Sequence, residues 1–279
     1  MIAGVASWSE RSVYRLLDQQ FGASWSVDDT ARPRSGLANY IMAVRAGASL
    51  YFAKFFTDPI ASQREATALR FLAKTPFPAP PVIACDFKFL LLKSVGIPVP
   101  AESRSAAELV QIGQTLQRLH SLDTSELDPV NFRGSQADRL DRRFRACFTK
   151  IPARRSLLHG DITWSNVVFN KTEHIVLIDF EEAALGDPLV DLSIAAVECC
   201  WNPRFARRFE TAVMHMIEGY NQPGMYSRLL AVPAEAKASA CELAAEELLS
   251  WSRTNGQYAL SQKYITFIDF IRRRRSLRC

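Results

Sequence analysis

The chain has 279 residues, 48% of them hydrophobic and 23% charged, with 12 Gly and 14 Pro. That apolar content lies far above the disordered range, and the Gly and Pro counts exclude collagen-like or low-complexity chains. The net charge of +5 (34 Lys and Arg against 29 Asp and Glu) is only mildly basic. No apolar run reaches the roughly 18 residues that would read as a membrane span. The N-terminal stretch Met1-Ile-Ala-Gly-Val-Ala-Ser-Trp8 lacks the basic and apolar regions of a secretory signal, so a soluble, cytoplasmic protein is expected. Six cysteines (Cys85, Cys147, Cys199, Cys200, Cys241 and Cys279) form no C-x-x-C pair, which argues against a zinc site and against a disulfide framework.

In chain order, Ser7-x-x-Glu10 is a capping-box pattern, and Val13, Leu16 and Leu17 give a helical stripe ending near Gly22. Ile41 to Arg45 and Leu50 to Phe56 read as paired strands about a turn at Ala46-Gly47-Ala48. Asp58-Pro59 opens a helix to about Lys74. After a proline-rich stretch, Val82 to Ala84 and Phe87 to Val95 read as two more strands. Past Gly96 the pattern turns helical. Ser105-x-x-Glu108 caps a helix carrying Leu109, Ile112, Leu116 and Leu119, and Asp138 to Phe148 is a basic amphipathic helix. Helices follow over Pro188 to Trp201, Pro203 to Tyr220, Ala234 to Trp251 and Gln257 to Arg275. The expected architecture is α+β: a small sheet-rich N-lobe over 1–95 joined to a larger, mainly helical C-lobe over 96–279.

One insert of different texture interrupts the helices. It reads His159-Gly160-Asp161-Ile-Thr-Trp164-Ser-Asn166, and further on Ile178-Asp179-Phe180-Glu181. Val167 to Phe169 and Ile175 to Ile178 are apolar strands, and pairing them as a hairpin would bring Asn166 and Asp179 together. One carboxylate and one amide oxygen suit a hard cation such as Mg²⁺, which keeps water and phosphate as further ligands. Asp161 then remains as a carboxylate able to accept a proton from an attacking hydroxyl. Taken singly, each of these three residues reads as a loop cap; the combination points to chemistry.

The spacing matches that of kinases, in which a catalytic-loop Asp is followed five residues later by a metal-binding Asn. With Gly186-Asp187-Pro188-x-x-Asp191-Leu192 completing the set, the chain resembles the aminoglycoside phosphotransferase and choline kinase family, small-molecule kinases with a protein-kinase-like two-lobe fold. The resemblance spans roughly residues 33–200 and implies ATP and Mg²⁺. On it, Asp161 is the base, and Asn166 and Asp179 hold the metal. Lys54 holds the α- and β-phosphates, and Glu65 pairs with it unless Glu65 belongs instead to a Ser62 capping box. Ser35, Gly36 and Asn39 form a reduced phosphate-covering loop, and Ser94 and Val95 are the segment whose backbone reads adenine. His159 and His120 are expected to be structural, Asp187 to cap a helix and Asp191 to anchor the catalytic loop. Glu181, and Trp164 unless it is a core aromatic, are candidates for the acceptor.

The acceptor segment 198–279 holds 12 Lys and Arg against 8 Asp and Glu, a balance of +4, which argues against a polycationic acceptor and toward a neutral, zwitterionic or anionic hydroxyl compound. Arg272 to Arg275 reads as a solvated helix end, so no nucleic-acid partner is expected, and no obligate protein partner is implied. The competing readings are a nucleotide-binding pseudokinase and a protein kinase of the same fold; Asp-Phe-Glu in place of Asp-Phe-Gly counts against the second.

Overall fold

In the computed structural model, the described residues are 10–22, 24–28, 39–98, 105–147, 155–170, 172, 174–220 and 234–276. The chain divides by its internal contacts into two compact units, Met1–Val95 and Gly96–Cys279.

The first unit is an antiparallel sheet with two helices. α1 (Glu10–Phe21) leads to β1 (Trp25–Val27), β2 (Asn39–Ala46) and β3 (Ser49–Phe56). α2 (Pro59–Leu72), β4 (Val82–Asp86) and β5 (Phe89–Lys93) follow, giving a five-stranded sheet in the order β1-β2-β3-β5-β4. The β2–β3 hairpin closes Ala46 on Ser49 through Gly47, whose φ of 57° is the left-handed conformation that glycine adopts without strain. Strand parity then sorts the side chains. Ala53 and Phe55 join Met42, Val44, Phe89 and Leu91 in a core with Leu17 of α1, while Lys54 takes the opposite face. α2 starts where Asp58 accepts the Ile60 amide and Pro59 supplies a preset φ. The capping-box alternative for Glu65 is overturned. The cap is Asp58, Ser62 lies inside the helix, and Glu65 turns inward.

The second unit opens on β6 (Ile97–Pro98) and α3 (Ala106–His120), whose Ser105–Glu108 capping box makes both of its reciprocal bonds. α4 (Gln136–Cys147) and the strands β7 (Ser156–Leu158), β8 (Val167–Phe169), β9 (Ile175–Leu177) and β10 (Ala184–Gly186) come next. β6-β8-β9 form one small sheet and β10-β7 another. α5 (Leu189–Ala195) runs into a π-helical turn, Ala196–Cys200, before α6 (Phe209–Gly219), α7 (Ala234–Thr254) and α8 (Tyr258–Ser276). The Arg272 to Arg275 end is more engaged than a solvated terminus: Arg272 pairs with Glu242 and Glu246, and Arg274 with Glu210.

α3 and α6 cross at two glycines. A Cβ on Gly113 would sit 2.0 Å from the Met216 carbonyl oxygen, and one on Gly219 would sit 1.9 Å from that of Val110. No side chain fits there, because both obstacles are backbone. Gly113→Ala is therefore expected to destabilise the protein by about 3 kcal/mol, by forcing the helices apart in a packed interior. Thermal melting should detect this, whereas Gly256→Ala, with nothing within 4 Å of its Cβ but a φ of +68°, is expected to cost only about 1 kcal/mol of backbone strain.

Candidate active site

In the first unit, Lys54 Nζ donates to Glu65 Oε2 at 2.7 Å, with the two side chains only 4% and 0% exposed. The Lys54 ammonium also lies 4.7 Å from the centre of the Phe56 ring. A lysine on this strand face is tolerated because its charge is neutralised on the spot. Asn39, the first residue of β2, stands opposite Phe56 at the start of the same hairpin. Ser94 donates its amide to the Leu50 carbonyl, continuing the strand edge past β5, and Val95 follows it. Ser35 and Gly36 lie outside the described residues.

In the second unit, the β8–β9 hairpin pairs Val167 with Leu177, and the Ile178 amide donates to the Asn166 carbonyl. Asn166 and Asp179 are thereby carried to the same end of the hairpin, as antiparallel pairing requires. The Asn166 side-chain amide donates both to the Asp161 backbone carbonyl at 2.9 Å and to Asp161 Oδ2 at 2.7 Å. Both partners are oxygens, so the NH₂ group must face them and the amide oxygen turns the other way. Asp179 is the non-glycine residue with positive φ, 69°, among the described residues. Asp tolerates that region better than most residues but still at a cost of about 1 kcal/mol, and such strain concentrates at functional positions.

The backbone around Asp161 is held from beneath. Asp191, fully buried on α5, accepts the Gly160 amide on Oδ1 at 2.8 Å and the His159 amide on Oδ2 at 2.8 Å, and His120 Nε2 reaches Oδ2 at 3.0 Å. Burial alone would raise the Asp191 pKa. The hydrogen bond and charge of His120, with the backbone amide of His159, carry it below the usual carboxylate value instead. His120 Nδ1 in turn meets the Tyr220 hydroxyl at 2.8 Å. His159 Nδ1 accepts the Asp161 amide at 3.2 Å, which fixes the neutral tautomer whose Nε2–H donates to the Ile178 carbonyl at 2.9 Å. One imidazole thus links Asp161 to the residue before Asp179. Gly160, at φ +85°, has the Glu182 carbonyl 2.1 Å from where a Cβ would stand.

Asp161 itself has its pKa pushed well up, first by burial and then by the negative charges of Asp179, Glu198, Glu181 and Glu182. Glu182 has a structural task that the sequence did not suggest: its carboxylate accepts the Gln136 amide at the start of α4. Trp164 is 7% exposed and donates its indole N–H to the Cys199 carbonyl at 3.2 Å, which places the ring in the interior. Glu181 is half-buried beside this loop. Glu198, close enough to act on Asp161, carried no signal in the sequence beyond its position in a helical stretch.

Similarities to known proteins accord with this geometry. Residues 126–228 match the model of a phosphotransferase enzyme family. A mouse protein, acyl-CoA dehydrogenase family member 10, is 28% identical over 134 residues, which are 39% of this chain but only 12% of that protein's length. The fold matches a gentamicin complex of APH(2")-IIa, at 15% identity and a TM-score of 0.62 over 95% of this chain and 97% of that one. It also matches LicA in complex with AMP, at 14% identity and a TM-score of 0.63 over 94% and 98%; LicA is the choline kinase of Streptococcus pneumoniae. The match to the phosphotransferase enzyme family thus covers residues 126–228, and the chain shares the protein-kinase-like fold of the APH(2")-IIa and LicA structures.

Crowding so many carboxylates around Asp161 opposes folding at neutral pH. A carboxylate whose folded pKa is raised loses stability as pH climbs above its ordinary value of about 3.9, because the unfolded chain ionises it more readily. Asp161→Asn keeps an acceptor for Asn166 while removing the charge. It is expected to gain about 1 kcal/mol at pH 7.5, roughly a 2–4 °C rise in Tm. The gain should shrink as pH falls through about 4 and vanish near about pH 3 or below, where the wild-type carboxyl is protonated in both states, and melting curves across this range check it.

Proposed function

We propose that this protein is a phosphotransferase, an ATP-dependent kinase that moves the γ-phosphoryl group to a hydroxyl of a small acceptor, with Asp161 as its base. The observation that carries the reading is the grip of Asn166 on Asp161 at the end of a hairpin that also delivers Asp179. An amide that spends both donors on the base leaves its carbonyl oxygen for a cation, and a neighbouring carboxylate supplies the charge. That donor set, amide oxygen plus carboxylate, fits Mg²⁺. Asn166 and Asp179 would hold the ion, whose chemistry is to neutralise the β- and γ-phosphate oxygens.

The remaining steps belong to the chain's own groups. Asp161 accepts a hydrogen bond from the acceptor hydroxyl and aligns its oxygen with the γ-phosphorus. As the new P–O bond forms and the bond to the β-phosphate oxygen breaks, the hydroxyl proton passes to Asp161 and ADP departs. The raised pKa of Asp161 suits a group that must hold that proton, while the carboxylate is kept in place by Asn166 and by the amides anchored on Asp191. Lys54, presented by β3 and fixed by Glu65, is suited to the α- and β-phosphates. The AMP in the similarly folded LicA complex supports an adenine nucleotide as donor.

Positioning and electrostatics supply most of the acceleration in such reactions, with base catalysis adding about 10²–10⁴-fold. Asp161→Ala is expected to lower kcat by at least about 10²-fold in a coupled ADP-release assay across a panel of hydroxyl acceptors. Nucleotide binding by calorimetry should stay within about threefold, since the base does not touch the phosphates it acts upon. An unchanged kcat would remove Asp161 from the role. ATP bound but never consumed by the wild type would favour a nucleotide-binding protein without turnover.

A further inference from the structure

The π-helical turn Ala196–Cys200 is strapped to the loop that follows Asp161. The Cys199 carbonyl accepts the Trp164 indole N–H at 3.2 Å, and Cys199 Sγ lies 3.6 Å from the Ile162 carbonyl. π-turns displace one residue from the regular helical path and recur at functional sites. Glu198 lies in this turn, one residue before the Cys199 that makes both contacts. It is 8% exposed; its Oε2 accepts Lys263 Nζ of α8 at 2.7 Å, and its Oε1 has no hydrogen-bond partner. A buried carboxylate oxygen left without a donor is costly, so such an atom calls for a ligand. The charge of Glu198 is felt on both sides: burial raises the pKa of Asp161 and of the Tyr264 hydroxyl, and Glu198 raises each further, with Asp179 also acting on Asp161.

Resting on the phosphotransfer reading above, we infer that the Glu198–Lys263 pair is the acceptor-recognising dyad and selects an uncharged, polyhydroxylated acceptor over an amine. Glu198 Oε1 accepts a second hydroxyl of the acceptor while Asp161 takes the reacting one. Lys263 decides the class. Its ammonium already neutralises Glu198, so an incoming ammonium would meet a like charge within a few ångströms. A neutral O–H donor meets no such charge and satisfies the orphaned oxygen. The +4 balance of residues 198–279 agrees with this preference but does not cause it, because Arg272 and Arg274 are engaged with Glu242, Glu246 and Glu210.

The test is the ratio of kcat/KM for sugars and polyols to that for amino alcohols and aminoglycosides, with ATP saturating. The wild type is expected to favour polyols at least tenfold. Lys263→Met, which frees the Glu198 charge, is expected to shift the ratio at least tenfold toward amines. Glu198→Gln should raise the polyol KM with little change in the KM for ATP. The double variant Glu198→Gln, Lys263→Met buries no lone charge and guards against misfolding; it should keep the polyol preference at weakened affinity. An unchanged ratio in Lys263→Met, with the melting temperature of the double variant near wild type, overturns the dyad while leaving the kinase reading intact. A wild type that prefers amines also overturns it. A wild type that phosphorylates no acceptor overturns both.

Discussion

Asp191 is a charge with no exposure to water, and it is kept there by three donors. Two of them are the successive amides of His159 and Gly160, so the carboxylate dictates the backbone path into Asp161. The third, His120, is the last residue of α3, and its other ring nitrogen meets Tyr220, the residue after α6. The distance between those two helix ends is set by the Gly113 and Gly219 crossing, where backbone meets backbone. A steric constraint in the helical core is thus transmitted through Tyr220, His120 and Asp191 to the loop that presents Asp161. Removing any donor would leave a buried, uncompensated charge, which is why the chain of contacts behaves as a unit.

Above that rigid base the site is unfavourable by construction. Asp179 occupies a left-handed backbone conformation, and Asp161 sits among Asp179, Glu181, Glu182 and Glu198. Neither feature stabilises the fold. On the proposed reading both would become useful once a cation is bound, since carboxylates already fixed in place need not reorganise during the reaction. The compensation is structural and lies nearby: Glu182 holds the start of α4, Lys263 neutralises Glu198, and the His159 ring ties the two acidic loops together.

The parts legible in the sequence are those governed by local periodicity and turn chemistry. The β2–β3 hairpin, the Asp58-Pro59 helix start, the Ser105–Glu108 box and the pairing of Val167–Phe169 with Ile175–Leu177 follow from alternation and capping alone. Four short strands escaped. β1, β6, β7 and β10 have two or three residues each, too few to show a period. Two of them exist only because they pair with each other across the chain, Ala184–Gly186 against Ser156–Leu158. The π-turn escaped for a related reason. Its residues continue the apolar pattern of α5, and the turn coincides with the contacts of Cys199 on the 162–164 loop, which no local signal encodes.

The same distinction explains why counting charges along a segment is a poor guide to an electrostatic site. Coulombic influence falls with distance and with screening, within about 8–10 Å at ordinary ionic strength for exposed groups. The Arg272 and Arg274 side chains contribute to the segment's positive total, yet their partners are the glutamates of α7 and α6. Glu198 and Lys263 cancel in any such count, yet they form the one pair of that segment with a carboxylate acting on Asp161 among the described residues. On the proposed reading an acceptor would meet the buried Glu198 and the half-buried Lys263, while the arginines tie the helices to one another.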